Sequence, residues 1–146
     1  MPIKKVTKHW GHELWIAEGK NEPYALKRIL FKAGKRTSLQ VHKNKFETNY
    51  VLSGTGKLYI SQTPLDIDTF LLKGMTDSEL ELYQKNMNVI DLYEGVSCNI
   101  SPGYVHRVEA ITDLEFIEAS TTELDDVVRL QDDIGRSHGK IESEHK

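Results

Sequence analysis

Short β-forming runs, punctuated by glycine at close intervals, constrain this chain more than any other feature. Residues 24–33, 38–43, 47–53, 57–61, 89–93, 96–101, 106–109 and 114–120 each have the length and composition of a strand. Gly11, Gly19, Gly34, Gly54, Gly56, Gly95 and Gly103 supply the turns. Several runs alternate with period two, so that Leu39 and Val41 fall on one face and Gln40 and His42 on the other. Val96, Cys98 and Ile100 likewise share a face. Many short strands with glycine-bearing turns pack as an all-β sandwich or barrel rather than as an α/β fold.

One stretch departs from this pattern. Thr76-x-x-Glu79 is a capping box, Leu80, Leu82 and Tyr83 follow it, and Asn86 closes a short helix. Residues 62–88 therefore read as a helical insertion between two strands. With so few apolar positions, the helix is expected to lie as a surface flap outside the core. Residues 1–136 form a single domain, and the polar tail 137–146 is expected to be disordered.

Composition narrows the class of function. Lys and Arg total 19 against 22 Asp and Glu, a net charge of -3, without the basic excess of a nucleic-acid binder. No apolar run approaches the ~18–20 residues that cross a bilayer. The opening Met-Pro-Ile-Lys-Lys lacks the apolar region of a secretory signal. A lone Cys98 forms no intrachain disulfide and alternates with apolar neighbours, as an inert core thiol does. A cytoplasmic protein with no nucleic-acid or membrane partner is expected.

The histidines mark the chemistry. Gln40 and His42 share a strand face. Glu47 opens the next strand across the 43–46 turn, which brings it back beside His42. His106 begins a strand just after Ser101-Pro102-Gly103. An amide oxygen, two imidazoles and a carboxylate suit a divalent transition metal such as zinc, manganese or iron. Arg36, Lys45 and Arg107 are candidates for a phosphate through charge-assisted hydrogen bonds. Trp10 and Trp15 read as packing residues rather than a sugar-stacking platform. The acidic pairs Asp125–Asp126 and Asp132–Asp133 read as caps and as partners of Arg129 or Arg136.

Gly34-x5-Gln40-x-His42-x4-Glu47-x6-Gly54 resembles the first cupin motif, with glutamine in place of its first histidine. Gly95-x7-Gly103-x2-His106 resembles the second, with Pro102 one residue later than usual and Ala110 where asparagine is common. The resemblance implies a small antiparallel jelly-roll barrel with Gln40, His42, Glu47 and His106 facing inward as ligands of a divalent metal. Zinc is the first expectation, with manganese, iron or nickel as alternatives. It also implies pairing into a homodimer.

The flanks narrow the likeness to cupin-type (type II) mannose-6-phosphate isomerases, which also form the C-terminal domain of mannose-1-phosphate guanylyltransferases. Lys8-His9-Trp10-Gly11-x-Glu13, Ser38-Leu39-Gln40-x-His42, Pro102-Gly103-x-x-His106-Arg107-Val108-Glu109 and Asp125-Asp126-Val127-Val128-Arg129 through Asp133-x-Gly135-Arg136 resemble their segments in order. The resemblance implies aldose–ketose interconversion of a phosphorylated or nucleotide-linked sugar through an enediol. Lys45, Glu13 and Glu109 are then candidates for proton transfer, and Arg36 and Arg107 for holding the phosphate. Where those enzymes read His-His-His-Arg-x-Glu-His-Trp, this chain carries Asn44, Lys45, Thr48 and Asn49, departures that point to a different substrate. A non-catalytic metal- and sugar-binding cupin and an iron-dependent oxygenase are the competing readings.

Overall fold

The computed structural model describes residues 2–123 and 125–133, together with the backbone of 139–141. The first sheet contains β1 (Lys4–Lys8), β2 (Gly11–Glu18), β3 (Ala25–Phe31), β5 (Glu47–Ser53), β8 (Ser97–Ile100) and β10 (Leu114–Ser120), in the order β1-β2-β3-β10-β5-β8. The second contains β4 (Leu39–Val41), β6 (Gly56–Ile60), β7 (Asn88–Leu92), β9 (His106–Ala110), β11 (Val127–Gln131) and β12 (Gly139–Ile141), in the order β12-β11-β4-β9-β6-β7. Every pairing is antiparallel. The expected all-β barrel is therefore present. β1, β2, β11 and β12 add to the eight strands read from the sequence. At the turn between β5 and β6, Gly54 has φ 87°, and a Cβ there would lie 1.9 Å from the Asp113 carbonyl oxygen. Only glycine suits that position.

Period-two alternation grades the barrel interior from polar to apolar along its axis. β3 turns Lys27, Ile29 and Phe31 inward, and register sets them opposite Glu118, Phe116 and Leu114 of β10. On the other flank of β10, Asn49 of β5 faces Glu118 and Val51 faces Phe116. The apolar half is a cluster of Trp10, Ile29, Phe31, Val51, Leu58, Leu92, Ile100, Val108, Leu114 and Phe116. Trp10 stacks on Phe31 at 4.5 Å between ring centroids, as its packing role anticipated. The polar half carries charged side chains that are almost fully buried, and it is there that chemistry can occur.

The insertion departs from the expected flap. It carries two helices, α1 (Ile67–Lys73) and α2 (Asp77–Lys85), capped by Asp66 and by the Thr76–Glu79 capping box. Ile67, Phe70, Leu80 and Met87 pack on Leu39, Val41, Val105, Val128 and Leu130, which form the outer face of the second sheet. Leu39 and Val41 alternate with Gln40 and His42, so these helices bury the reverse side of the strand that presents them. A few well-placed apolar residues suffice because the sheet already supplies an apolar floor. Most of the tail 137–146 lies outside the described residues. Within it, Gly139–Ile141 pairs with β11 as strand β12.

Candidate metal centre

His42, Glu47 and His106 converge in the polar half of the barrel, their ligand atoms all within 4.8 Å of one another. Gln40 pairs with His106 across β4 and β9 and lines the same cleft. Each imidazole is fixed by its far nitrogen. His42 Nδ1 donates to the Asp126 main-chain oxygen at 2.6 Å, and His106 Nδ1 donates to that of Tyr104 at 3.0 Å. A carbonyl only accepts, so each Nδ1 holds the proton and each Nε2 keeps its lone pair. The Nε2 atoms lie 3.5 and 3.4 Å from Glu47 Oε1. Donors about 2.0–2.2 Å from one ion, roughly 100° apart, would lie about 3.0–3.5 Å from one another. The residues thus fit a divalent cation, with both imidazoles oriented by outer partners as metal-binding histidines usually are.

Asp126 sets this geometry from outside the sheet. Its carboxylate accepts the main-chain N–H groups of Lys43, Asn44 and Lys45 at 3.1, 2.5 and 3.0 Å, closing the turn between His42 and Glu47. Ser38 Oγ donates to Gln40 Oε1 at 3.1 Å, orienting the amide.

Two buried charge pairs complete the lumen. Lys45 Nζ lies 3.3 Å from Glu118 Oε2, and Lys27 Nζ lies 3.5 Å from Glu13 Oε1. Burial opposes the charge on Lys45, but Glu118 and Glu47 outweigh it and hold the ammonium protonated. Burial also works against the Glu47 carboxylate. The Lys45 charge, together with the hydrogen bond from Glu118, nonetheless keeps its pKa well below the usual range. Burial and the Glu47 charge push Glu118 up to about 8. His106 is driven down to about 4, chiefly by burial, so it stays neutral as a metal ligand must. Trp15 Nε1 donates to Glu13 Oε1 at 2.9 Å, and Lys27 sits 4.4 Å over the Trp15 ring.

Gln40, His42, Lys45, Glu47, His106 and Glu13 all line the cleft, a cavity of about 60 Å³ that opens to solvent. Arg36, Arg107 and Glu109 do not line it. β9 turns His106 inward, so Arg107 and Glu109 face outward, a parity that the period-two rule dictates. Arg107 donates to Thr37 O, Gln84 Oε1 and Gln131 Oε1 beneath α2, and burial with the nearby Arg36 charge lowers its pKa to about 10. Glu109 accepts from the Tyr59 hydroxyl, and Arg36 forks onto Asp133 at 2.5 and 2.7 Å. Lys27 and Glu118 escaped the sequence reading, as did the orienting role of Asp126, whereas Asn49, singled out there as a departure beside the site, does line the cleft. Lys27 and Glu118 did leave a signal, since each is a charged residue on the apolar phase of an alternating strand.

No family model matches this sequence, and no curated protein matches it. Solved structures share its fold. The capsular polysaccharide assembling protein CapF of Staphylococcus aureus aligns with TM-score 0.63 at 17% identity over 90% of this chain and 32% of its own. Oxalate decarboxylase of Lactobacillus farciminis, as a formate complex, aligns with TM-score 0.63 at 13% identity over 88% of this chain and 33% of its own. Oxalate decarboxylase of Bacillus subtilis, studied for its Mn(II) centres, aligns with TM-score 0.62 at 16% identity over 87% and 30%. The chain thus spans about a third of the length of each. It is a cupin-fold protein whose barrel carries a candidate His–Glu–His metal centre. Among the described residues, no helix is long and apolar enough to cross a membrane.

Proposed function

We propose that this chain is a metal-dependent isomerase or epimerase of a phosphorylated or nucleotide-linked sugar, acting in the manner of mannose-6-phosphate isomerases. The observation that carries this reading is the placement of two carboxyl groups in unlike environments around one donor set. Glu118 is pushed up by burial and by the Glu47 charge beside it. Glu13 is oriented by Trp15 and charge-paired with Lys27. An aldose–ketose interconversion needs a base to take a proton from one carbon and an acid, either that protonated base or a second group, to return one to its neighbour. Two carboxyl groups on one cavity, one beside the Glu47 carboxylate and the other beside Trp15 and Lys27, suit that transfer.

In this reading Glu13 accepts the proton and Glu118 supplies one. The Lys45 ammonium, kept charged beside Glu118, favours negative charge developing on a substrate oxygen. Gln40, His42, Glu47 and His106 would hold a divalent ion, zinc or manganese foremost, and when bound it supplies Lewis-acid polarisation of the substrate's oxygens. The Trp10–Phe31–Phe116 cluster gives the cleft an apolar wall. Two copies pairing along an edge strand, β7 or β8, belong to the same reading and are measured by solution mass.

The alternative is a binding module for metal and sugar without turnover. It is favoured by the self-compensation of the lumen, where both lysines already face carboxylates of this chain. The two are separated by metal analysis of the purified protein with anaerobic incubation in D₂O with mannose 6-phosphate and other sugar phosphates. Isomerisation places deuterium at C1 or C2 and is lost in His106→Ala and Glu13→Gln. Metal and sugar binding without exchange favours the binding module. A strict need for iron and O₂ turns the assignment to an oxygenase.

A further inference from the structure

Asn49 carries a buried polar atom in the lumen that makes no hydrogen bond within the chain. It stands on the inward face of β5 between Glu47 and Val51, 6% exposed, and its Oδ1 has no partner. Register places it opposite Glu118 on one side and Cys98 on the other. It lies where the polar half of the barrel meets the apolar half, and it borders both the main cleft and a smaller cavity below. The other walls of that lower cavity are Val51, Leu58, Leu92, Cys98, Val108 and Phe116, none of which offers a strong donor. The Glu118 carboxyl is already engaged by Glu47 and Lys45.

We propose that Asn49 is a substrate-contacting, specificity-determining residue whose Oδ1 accepts a hydrogen bond from one hydroxyl of a polyhydroxylated substrate. The inference rests on the sugar reading above and says which wall of the site reads the sugar. A buried acceptor left unpaired is costly, and the cost is relieved by a ligand that brings a donor. An apolar ligand brings none. A carboxylate would set its own oxygens against Oδ1 with Glu47 and Glu118 close by. An ammonium would meet Lys45, which lines the same cleft. A neutral hydroxyl meets none of these objections. It reaches Asn49 one inward step along β5 from the Glu47 ligand, so the residue reads a carbon displaced from the one at the metal donors.

The test uses the purified, metal-bearing full chain with mannose 6-phosphate and its singly deoxygenated analogues, read as affinity and as kcat/KM. The variants are Asn49→Leu, which keeps the branched shape and removes the acceptor, Asn49→Ala as a smaller control, and Asn49→Thr, which retains an oxygen. Wild type is expected to disfavour one deoxy analogue by about ten-fold or more. In Asn49→Leu and Asn49→Ala the parent sugar weakens by a similar factor and that one discrimination vanishes. Asn49→Thr restores part of it, with metal content unchanged throughout. Discrimination that persists undiminished in Asn49→Leu and Asn49→Ala overturns the role of Asn49 while leaving the sugar reading intact. Failure of wild type to bind or convert any sugar phosphate overturns both.

Discussion

The main-chain oxygen of Asp126 accepts His42 Nδ1–H at 2.6 Å, while the same residue's carboxylate gathers three amides of the turn that follows His42. A residue at the start of β11 thus positions a ligand on β4 and, through the turn, Lys45 and Glu47. Asp126→Ala should remove the carboxylate contacts to the turn while keeping the main-chain acceptor of His42, and lower metal affinity by about 10-fold, the low end of the effect of losing an outer-sphere partner. Asp126→Asn should retain part of the affinity. Chelator competition measures it, and unchanged affinity in Asp126→Ala would show that the turn holds itself.

Lys45→Met leaves Glu118 buried beside Glu47 without its cation. Breaking a buried pair from one side costs about 3–5 kcal/mol. Urea denaturation of the metal-free variant should show a lower midpoint with the same slope. The double variant Lys45→Met/Glu118→Leu should recover only part of the loss, because the buried Glu47 carboxylate, which the Lys45 charge also stabilises, still lacks its cation. A Lys45→Met protein as stable as wild type would mean that the pair contributes nothing.

The two-helix insertion is a second core, and its removal should be felt as one. Phe70→Ala and Leu80→Ala each empty a buried position against the outer face of the second sheet. They should cost about 3–5 and 2–5 kcal/mol respectively. A true surface flap would lose about 0.5 kcal/mol or less. Thermal unfolding followed by circular dichroism distinguishes the two.

Arg36 and Asp133 tie the loop before β4 to the residues just after β11. The Arg36 hydrogen bond holds the Asp133 carboxyl down to about 2. Because the folded-state pKa is depressed, the pair stabilises the fold above the unfolded carboxyl's pKa of ~3.9 and loses that contribution as pH falls toward 2. Both side chains are more than a third exposed, 37% and 38%, so solvent screening keeps the contribution below about 1 kcal/mol. The gap in Tm between wild type and Asp133→Asn should therefore close between about pH 4 and pH 2, and also in high salt. A gap independent of pH would remove the electrostatic explanation.

Period-two alternation in the sequence by itself determined a good deal. With the capping signal it yields eight of the strands, the shared face of Gln40 and His42, the capping box of α2 and the candidate metal donors, because strand periodicity and capping are set by neighbours a few residues apart. The inward aim of those donors was implied by the cupin resemblance. The same parity, applied to β9, already turns Arg107 and Glu109 away from His106. Tertiary structure alone decided which distant side chains share the lumen. Lys27, Asn49 and Glu118 lie on three strands brought side by side in the order β3-β10-β5, and Asp126 reaches the His42 turn from more than eighty positions away. Such meetings depend on strand order and pairing register, which arise only when the whole barrel closes, and no local pattern encodes them. The insertion makes the same point, since its few apolar residues become a core only once the second sheet presents Leu39, Val41 and Leu130 to them.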